Sequence, residues 1–255
     1  MSKNFELMQE ALKEALGETS AVPEPGRVVF VGSEARRDIS RATSDFDAVA
    51  QEECFKLVQR IFLGQPKNLL RTVVFAGVDR GNGCSRICAE VARILAANAS
   101  GSVCLVDANF RTPSLAGFFG ILEKRGLADA VLEEGHIRSF VQELKPSNLW
   151  LLSAGNPGTE STTLLSSDRL KLRLQELRAE FDYVLIDVPA LNLYADAITV
   201  GRIADGAVVV VQADSTRRES ALKGVASLRE AHIEVLGAVL NRRTFPIPDF
   251  VYRRL

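Results

Sequence analysis

The stretch VVFAGVDRGNGCSRICAEVARILA, residues 73–96, decides the fold because it joins a buried strand, a glycine-rich turn and an amphipathic helix. This order is typical of a phosphate-binding loop, in which backbone N–H groups surround the phosphates, a lysine neutralises them and a hydroxyl holds Mg²⁺. Gly81 and Gly83 supply the permissive backbone and Ser85 the hydroxyl, but Cys84 occupies the lysine position. A thiol with an ordinary pKa near ~8.5 carries no fixed positive charge. The pattern therefore predicts a loop that keeps its shape and has lost its main cation.

Strands and helices alternate downstream of Arg71, which predicts a doubly wound, mostly parallel α/β sheet with helices on both faces, the P-loop NTPase type of fold. The predicted strands are 71–78, 102–108, 149–154, 182–188, 206–213 and 234–241. The predicted helices are 48–62, 84–98, 126–143, 167–180, 194–203 and 217–231.

Polar residues close three of these strands, at the edge of the sheet where ligands of such folds bind. Asp107 ends VCLVD, Asp187 ends VLID and Asn241 ends GAVLN. A single aspartate at this place is as well explained by a helix cap or a turn. Two of them downstream of a phosphate loop favour a Mg²⁺ and water site, whereas Asn241 is a common turn residue.

The rest of the chain is predicted to form extensions of one domain. Four apolar residues near the start follow helical spacing, namely Phe5, Met8, Leu12 and Leu16. We expect an amphipathic helix at 1–17, a linker at 18–47 with a short extended piece in RVVFVGS, a P-loop domain at 48–243 and a tail at 244–255. The apolar stripe of the first helix favours docking on protein over binding to a membrane surface.

Composition narrows the possible partners and the compartment. Among 255 residues, 31 basic side chains are scattered between 32 acidic ones, which disfavours nucleic acid as a partner. No apolar run approaches the ~20 residues of a membrane span, and no signal peptide is recognisable, so we expect a cytoplasmic protein.

The four cysteines lack C-x-x-C spacing, so we expect them to stay reduced, with Cys88 and Cys104 packed in the core rather than binding metal.

Residues 50–243 resemble the CpsD/CapB-type bacterial tyrosine kinases of capsule and exopolysaccharide biosynthesis. This family lies in the P-loop ATPase group that includes the septum-site and plasmid-partition ATPases. The resemblance is carried by VDRGNGCSR (78–86), VDANFRTPSL (106–115), NLWLLSAGNPGTESTTLLSSDRL (148–170), VLIDVPAL (184–191) and most of 196–242.

The resemblance implies ATP or ADP and Mg²⁺ as cofactors. It implies a nucleotide-binding loop that contains Gly81, Gly83, Cys84, Ser85 and Arg86. It also implies a Mg²⁺ site with catalytic carboxylates, formed by Ser85, Asp107 and Asp187, and an adenine contact at Asn241.

The departures from the family pattern affect positions that take part in catalysis and phosphate binding. Asn109 replaces the family's second carboxylate and cannot act as a carboxylate base. Asp79 stands where the partition ATPases place an additional lysine, and Arg80 and Arg86 are the nearby cations that could compensate. We therefore expect nucleotide and Mg²⁺ binding to be weak or lost.

Two further departures concern self-assembly and the phosphorylated tail. The family's oligomer-forming segment, a glutamate followed by arginines at three-residue spacing, is ECFKLVQR here, with Glu53 retained but Lys56 and Gln59 at the arginine positions. Homo-oligomerisation is therefore left open. The family's terminal tyrosine cluster is reduced to Tyr252.

These features favour a catalytically impaired regulator or scaffold of polysaccharide synthesis and export. It would dock on a membrane chain-length or export protein and be held at the inner membrane through that partner. The alternative is an active protein-tyrosine kinase in which Arg80 or Arg86 replaces the lysine. A positioning ATPase that binds membrane or DNA is less favoured, because Pro246 and Pro248 prevent a basic terminal helix.

Overall fold

The structure is a computed structural model that describes residues 28–30, 48–64, 70–122, 125–144, 148–156, 158, 164–165 and 167–242. Its strands are β1 (Val28–Phe30), β2 (Thr72–Gly77), β3 (Val103–Asp107), β4 (Gln142–Leu144), β5 (Leu149–Leu152), β6 (Tyr183–Val188), β7 (Gly206–Gln212) and β8 (Val235–Asn241). Its α-helices are α1 (Ala48–Val58), α2 (Cys84–Asn98), α3 (Leu115–Phe118), α4 (Leu127–Leu132), α5 (Asp168–Glu180), α6 (Asp196–Gly201) and α7 (Arg218–Glu230).

The strands form one sheet in the order β1-β8-β7-β2-β6-β3-β5-β4. The pairs of neighbouring strands are parallel except for β4, which runs antiparallel to β5 at one edge. The order places β2 near the middle, with chain crossovers on both sides of it. The predicted doubly wound, mostly parallel α/β fold is confirmed.

Helices cover both faces of the sheet, and each face has its own core. Along β2, Val73 and Phe75 pack with α1, α2 and α3, whereas Val74 and Ala76 pack on the other face with α4, α5, α6 and α7. A strand buried on both sides needs an unbroken apolar run, which is why this stretch lacks polar alternation. The polar ends of such strands are left at the rim, where the candidate site lies.

All six predicted strands are present, and α2 has the predicted bounds. The short extended piece expected in RVVFVGS contains β1, which pairs with β8 at the far edge of the sheet. The helix expected at 48–62 changes character after Val58, because Gln59–Leu63 forms a wider π-helical turn.

The helix predicted at 126–143 was wrong. It ends at Leu132, and the chain continues through a short 3₁₀ turn, Ile137–Ser139, into β4. Gly135 has a φ of 133°, which no helix contains. The buried Arg173 side chain of α5 also donates hydrogen bonds to backbone carbonyls on both sides of the break, those of Ala130, Glu133 and Gly135.

Several expectations lie outside the described residues: the helix at 1–17, most of the range 18–47, and the tail at 244–255. Within the described ranges, no helix has both the length and the apolar character that crossing a bilayer requires.

Candidate functional site

The glycine-rich loop connects the end of β2 to the first residue of α2, Cys84. Gly81 and Gly83 have φ values of 80° and 79°, in the left-handed region that favours glycine. A Cβ at Gly81 would meet nothing within 4 Å, whereas a Cβ at Gly83 would lie 2.4 Å from Nδ2 of Asn241. Gly83 is therefore required both by its backbone angle and by its contact with β8.

Asn82 holds this loop to two other segments. Its Oδ1 accepts a hydrogen bond from the backbone N–H of Asp79 at 2.7 Å, and its Nδ2 donates to Oγ1 of Thr216 at 3.2 Å. Its backbone carbonyl accepts a hydrogen bond from Nδ2 of Asn241 at 2.8 Å. Asn82, Thr216 and Asn241 are all buried. We call these three residues the amide clamp; it joins the loop to the ends of β7 and β8.

Asp79 is held beside the loop by the segment after β6. Nδ2 of Asn192 lies 3.4 Å from Oδ1 of Asp79 and donates a shorter bond, 3.1 Å, to the carbonyl of Ser220 in α7. The backbone N–H groups of Leu191 and Asn192 also donate to the carbonyls of Gly77 and Val78. A negative charge is thus fixed close to where phosphates would approach.

Asp107 and Asp187 are direct partners across the parallel pair β3 and β6. Oδ1 of Asp107 accepts a hydrogen bond from the N–H of Asn109 at 3.1 Å, and Oδ2 accepts from the N–H groups of Ser114 and Leu115 at 3.0 Å each. Asp107 therefore stabilises the start of α3 in addition to facing the site. The sequence prediction that the two aspartates lie together agrees with this geometry.

Asp187 has no comparable support. Its side chain is fully buried, and neither carboxyl oxygen has a hydrogen bond of normal geometry. Burial, and then the Asp107 carboxylate, raise the pKa of Asp187 to about 8, although Ser85 and Cys84 lie near enough to offset part of this rise. The free protein consequently holds this group largely protonated at neutral pH.

Cys84 occupies the place of a cation without supplying a charge. The residue is only partly buried, yet its thiol is enclosed enough that burial raises its pKa well above the usual range, followed by the effects of Asp187 and Cys88. Cys88, one turn further along α2, has its pKa raised by burial as well. Both thiols are therefore neutral. No three cysteine, histidine or acidic residues cluster as metal ligands in the described part of the chain.

The segment after β3 contains the remaining family positions. Oδ1 of Asn109 lies 3.2 Å from the N–H and 3.4 Å from the hydroxyl of Thr112, which fixes the amide in its own turn. Nε of Arg111 donates to Oδ2 of Asp196 at 3.2 Å, and its guanidinium lies 4.2 Å from the centre of the Tyr194 ring. These contacts tie the β3–α3 loop to the β6–α6 loop.

The residues present suit a small hard cation. Mg²⁺ prefers oxygen ligands and keeps much of its water, so one or two carboxylates and a hydroxyl suffice. Asp187 supplies a buried carboxyl without a partner, and the Ser85 hydroxyl is close to it. The loop above them has the two positive-φ glycines that a phosphate cradle needs.

The structure thus brings the predicted loop, the aspartate pair and Asn241 to one edge of the sheet. Asn241 uses its amide on the loop backbone, while Arg80 and Arg86 are exposed. The roles of three residues were not predictable from local sequence, because each has a partner more than a hundred positions away: Asn82, Thr216 and Asn192. The only signal in the sequence was a carboxamide between two loop glycines.

Comparison with known proteins gives consistent matches. The family model described as "Cellulose biosynthesis protein BcsQ" matches residues 70–233. The tyrosine-protein kinase YwqD of Bacillus subtilis (strain 168) is 30% identical over 201 residues, which cover 71% of this chain and 84% of YwqD. The succinoglycan biosynthesis transport protein ExoP of Rhizobium meliloti (strain 1021) is 28% identical over 175 residues, 68% of this chain but only 22% of ExoP.

Solved structures share the fold. The crystal structure of the chimerical protein CapA2B2 has a TM-score of 0.77 at 20% identity and covers 92% of this chain and 99% of its own. The septum site-determining protein MinD of Pyrococcus horikoshii OT3, complexed with Mg-ADP, has a TM-score of 0.60 at 20% identity and covers 72% and 76%.

Proposed function

The chain belongs to the CpsD/CapB-type family of bacterial tyrosine kinases, and from this premise we propose that it is a cytoplasmic kinase-like regulator or scaffold of exopolysaccharide or capsule biosynthesis and export. The observation that carries the proposal is Cys84, a neutral thiol at the first residue of α2 where the family has a lysine. The catalytic step is impaired, while the fold that partners recognise is kept.

The site retains residues suited to binding nucleotide and Mg²⁺ but lacks residues that phosphotransfer requires. The loop glycines would cradle phosphates, and Ser85 and Asp187, beside Asp107, would hold Mg²⁺, whereas the Asn241 amide that the family pattern assigns to the base holds the loop backbone instead. Bound Mg²⁺ would neutralise phosphate charge. A phosphotransfer step also needs a group that takes the proton of the attacking hydroxyl. Asn109 cannot accept that proton, and its amide oxygen is held by Thr112.

The surface that the family uses for self-assembly is changed as well. Nζ of Lys56 lies 2.7 Å from a carboxyl oxygen of Glu53 and 3.2 Å from one of Glu52. Glu53 is therefore paired within its own helix, and Gln59 adds no charge. Phosphorylation between copies of the chain is disfavoured, and little tyrosine remains in the sequence of the tail.

The partner that fits this role is a membrane polysaccharide chain-length or export protein. The sequence matches only 22% of ExoP, so in that transport protein the similar segment is one part of a larger chain. We infer that this domain acts by associating with such a protein and is held at the inner membrane through it.

A second candidate function is an active ATP-dependent tyrosine kinase with a variant loop. Arg80 and Arg86 favour it, because both are exposed and flank the glycines. Losing one charged transition-state contact commonly costs ~10²- to 10³-fold in rate. Here two catalytic positions, Cys84 and Asn109, differ from the family. An arginine that replaced the lysine would therefore restore only part of the lost rate.

The test compares phosphotransfer with association in the same preparation. We expect the full chain to give no phosphotyrosine on a tyrosine-containing polymer with Mg-ATP, yet to co-purify with the chain-length or export protein from its own operon. Phosphotransfer that disappears in Arg80→Ala or Arg86→Ala would establish the second candidate instead. Failure to co-purify would contradict the scaffold role.

A further inference from the structure

Asn241 ends β8 beside the phosphate loop, at the position that the family resemblance assigns to the base, yet both ends of its amide are bound within the protein. Nδ2 donates to the backbone carbonyl of Asn82 at 2.8 Å, and Oδ1 accepts from the backbone N–H of Arg242 at 2.9 Å. Arg242 makes this bond with a φ of 57°, an uncommon conformation for a residue other than glycine. Asn241 is only 7% exposed, so its amide has little surface to offer a ligand.

The glycine loop also restricts the movement of this amide. A Cβ at Gly83 would lie 2.4 Å from Nδ2 of Asn241, so the amide packs directly on the Gly83 backbone. Turning the amide toward a base would take from the buried Asn82 carbonyl the donor that it has here. Losing a hydrogen bond between buried groups costs at least as much as a single bond to a base returns. Asn241 should therefore stay on the loop when the cleft is occupied.

The neighbouring buried polar side chains are bound within the protein in the same way. Asn82 uses Oδ1 on the N–H of Asp79 and Nδ2 on Oγ1 of Thr216. Oγ1 of Thr216 also accepts from the N–H of Gln212, at 3.0 Å. At the rim, Oε1 of Gln212 accepts from Nη1 of Arg242 at 3.3 Å in an exposed pair, which is not fixed in one position. The polar side chains that the described part of the chain holds rigidly at this end are thus held on the protein itself.

Selection between adenine and guanine requires hydrogen-bonding groups in fixed positions. Adenine presents an amino donor where guanine presents a carbonyl acceptor, so a fixed partner group accepts one base and rejects the other. The rejection is strong, because the wrong base leaves polar groups of the site unpaired. A planar or mobile surface, in contrast, binds every base alike, because every base has a flat face. The phosphates are common to all nucleotides and suit the backbone N–H groups at the start of a helix.

We propose that this cleft recognises the phosphates of a nucleoside diphosphate or triphosphate without selecting its base, because Asn241 positions the phosphate loop instead of contacting the ring. Asn241 is then a positioning residue, whose amide holds the loop backbone that binds the phosphates. The inference rests on the proposed function only in requiring that the cleft is a nucleotide site. It makes guanine nucleotides ligands of the cleft on the same terms as adenine nucleotides.

The experiment compares three ligands that share the phosphates and differ in the base. ADP, GDP and inorganic pyrophosphate, which has no base, are titrated by calorimetry in MgCl₂ into the full chain. The same titrations are made with Asn241→Ala, Thr216→Val and Thr216→Ser. Thr216→Ser is the matched control, because it keeps the hydroxyl that holds the Asn82 side chain. Circular dichroism and thermal unfolding confirm that each form is folded.

We expect the wild type to bind ADP and GDP with affinities within ~5-fold of each other, because no fixed group reads the base. Asn241→Ala should weaken all three ligands by about the same factor, ~10-fold, because it removes one hydrogen bond from the loop that they share. Thr216→Val should also weaken all three, and Thr216→Ser should keep the wild-type affinities. The equal loss for pyrophosphate is the readout that separates positioning of the loop from contact with the base.

The proposal is overturned if the wild type prefers one base by more than ~5-fold. It is also overturned if Asn241→Ala loses affinity for ADP but keeps it for pyrophosphate, because that pattern marks a direct contact with the base. If Asn241→Ala does not fold, the wild type and the two Thr216 variants decide by the same comparison. Absence of binding by all three ligands overturns the proposal as well, but leaves the scaffold role intact, because that role is measured by co-purification.

Discussion

At the scale of single residues, the centre of the cleft is defined by what Asp187 lacks. The fold places this carboxyl beside Asp107, and within the described part of the chain it has no hydrogen bond of normal geometry. Its pKa in the folded chain, about 8, is well above the value near ~3.9 of an unfolded aspartate. The folded chain therefore keeps a proton that the unfolded chain loses.

This difference predicts how stability depends on pH. Between about pH 4 and 8 the folded state binds more protons than the unfolded state, so the Asp187 contribution falls by up to ~1.4 kcal/mol per pH unit as pH rises, and the penalty is complete above about 8. Asp187→Asn cannot ionise, so its stability relative to the wild type should increase steadily over this range. Urea unfolding in EDTA at several pH values measures the difference.

The control for this prediction is Asp168→Asn. Lys171 holds the pKa of the exposed Asp168 below its usual range, so above about pH 5 this carboxyl is ionised in both the folded and the unfolded chain. The stability difference between Asp168→Asn and the wild type should not change with pH there. A similar slope in both variants would show that Asp187 is not the group responsible.

The two altered catalytic positions should respond differently to repair. Cys84→Lys restores a phosphate contact, but Asn109 still lacks a carboxylate, so this variant should bind nucleotide better without measurable turnover. Adding Asn109→Asp should raise ATP turnover at least ~10²-fold over the single variant. Phosphotyrosine formed on an added polymer is the readout. Rapid turnover by Cys84→Lys alone would mean that Asn109 is not limiting.

At the scale of elements, the glycine loop contains two glycines with nearly the same positive φ, Gly81 and Gly83, which differ in their surroundings. Gly81→Ala should cost about 1 kcal/mol in stability, from backbone strain alone. Gly83→Ala has the same strain and in addition pushes against Asn241, so it should cost at least ~1 kcal/mol more and weaken nucleotide binding. Urea unfolding of both variants checks the order.

A double-mutant cycle isolates the contact. In an Asn241→Ala background the amide is gone, so Gly83→Ala should cost no more than Gly81→Ala. If Gly83→Ala stays the more harmful change there, its extra cost does not come from Asn241.

Arg173 lies outside the cleft and has a structural role, because it joins α5 to the irregular segment after α4. Arg173→Ala removes a buried guanidinium and leaves several carbonyls without donors, so we expect a loss of ~2 to 4 kcal/mol in unfolding free energy. Arg169→Ala, on the same helix, removes one exposed bond to Glu133 and should cost less than ~1 kcal/mol. Nucleotide affinity should not change in either variant, and equal costs would disprove the account of Arg173.

The sequence predicted the structure best in segments whose conformation depends on their own residues rather than on distant contacts. The apolar runs ending at Asp107 and Asp187 identify β3 and β6, and the two loop glycines identify the phosphate loop. The helix predicted at 126–143 failed because distant Arg173 and a positive-φ Gly135 end it early. The amide clamp and the unpartnered state of Asp187 depend on residues far apart in the chain, so local patterns do not reveal them.

At the scale of the whole molecule, the proposed scaffold role requires contacts made outside the cleft. The apolar stripe of residues 1–17 lies on a short segment, and an isolated helix of ~15 residues is marginal in water. We therefore expect it to need a partner surface. Deleting residues 1–17 should leave the thermal unfolding of the domain unchanged but weaken co-purification with the membrane chain-length or export protein. Undiminished recovery of that protein by the truncated chain would assign the helix another purpose.

The amide clamp has a consequence for how this chain can change over generations. Asn82, Thr216 and Asn241 hold the loop in shape through neutral hydrogen bonds, without a lysine or a bound phosphate. Under the proposed function, cysteine at position 84 should therefore carry little folding penalty, because none of these hydrogen bonds involves its side chain. If the proposed function holds, a domain built in this way can lose its chemistry and still fold.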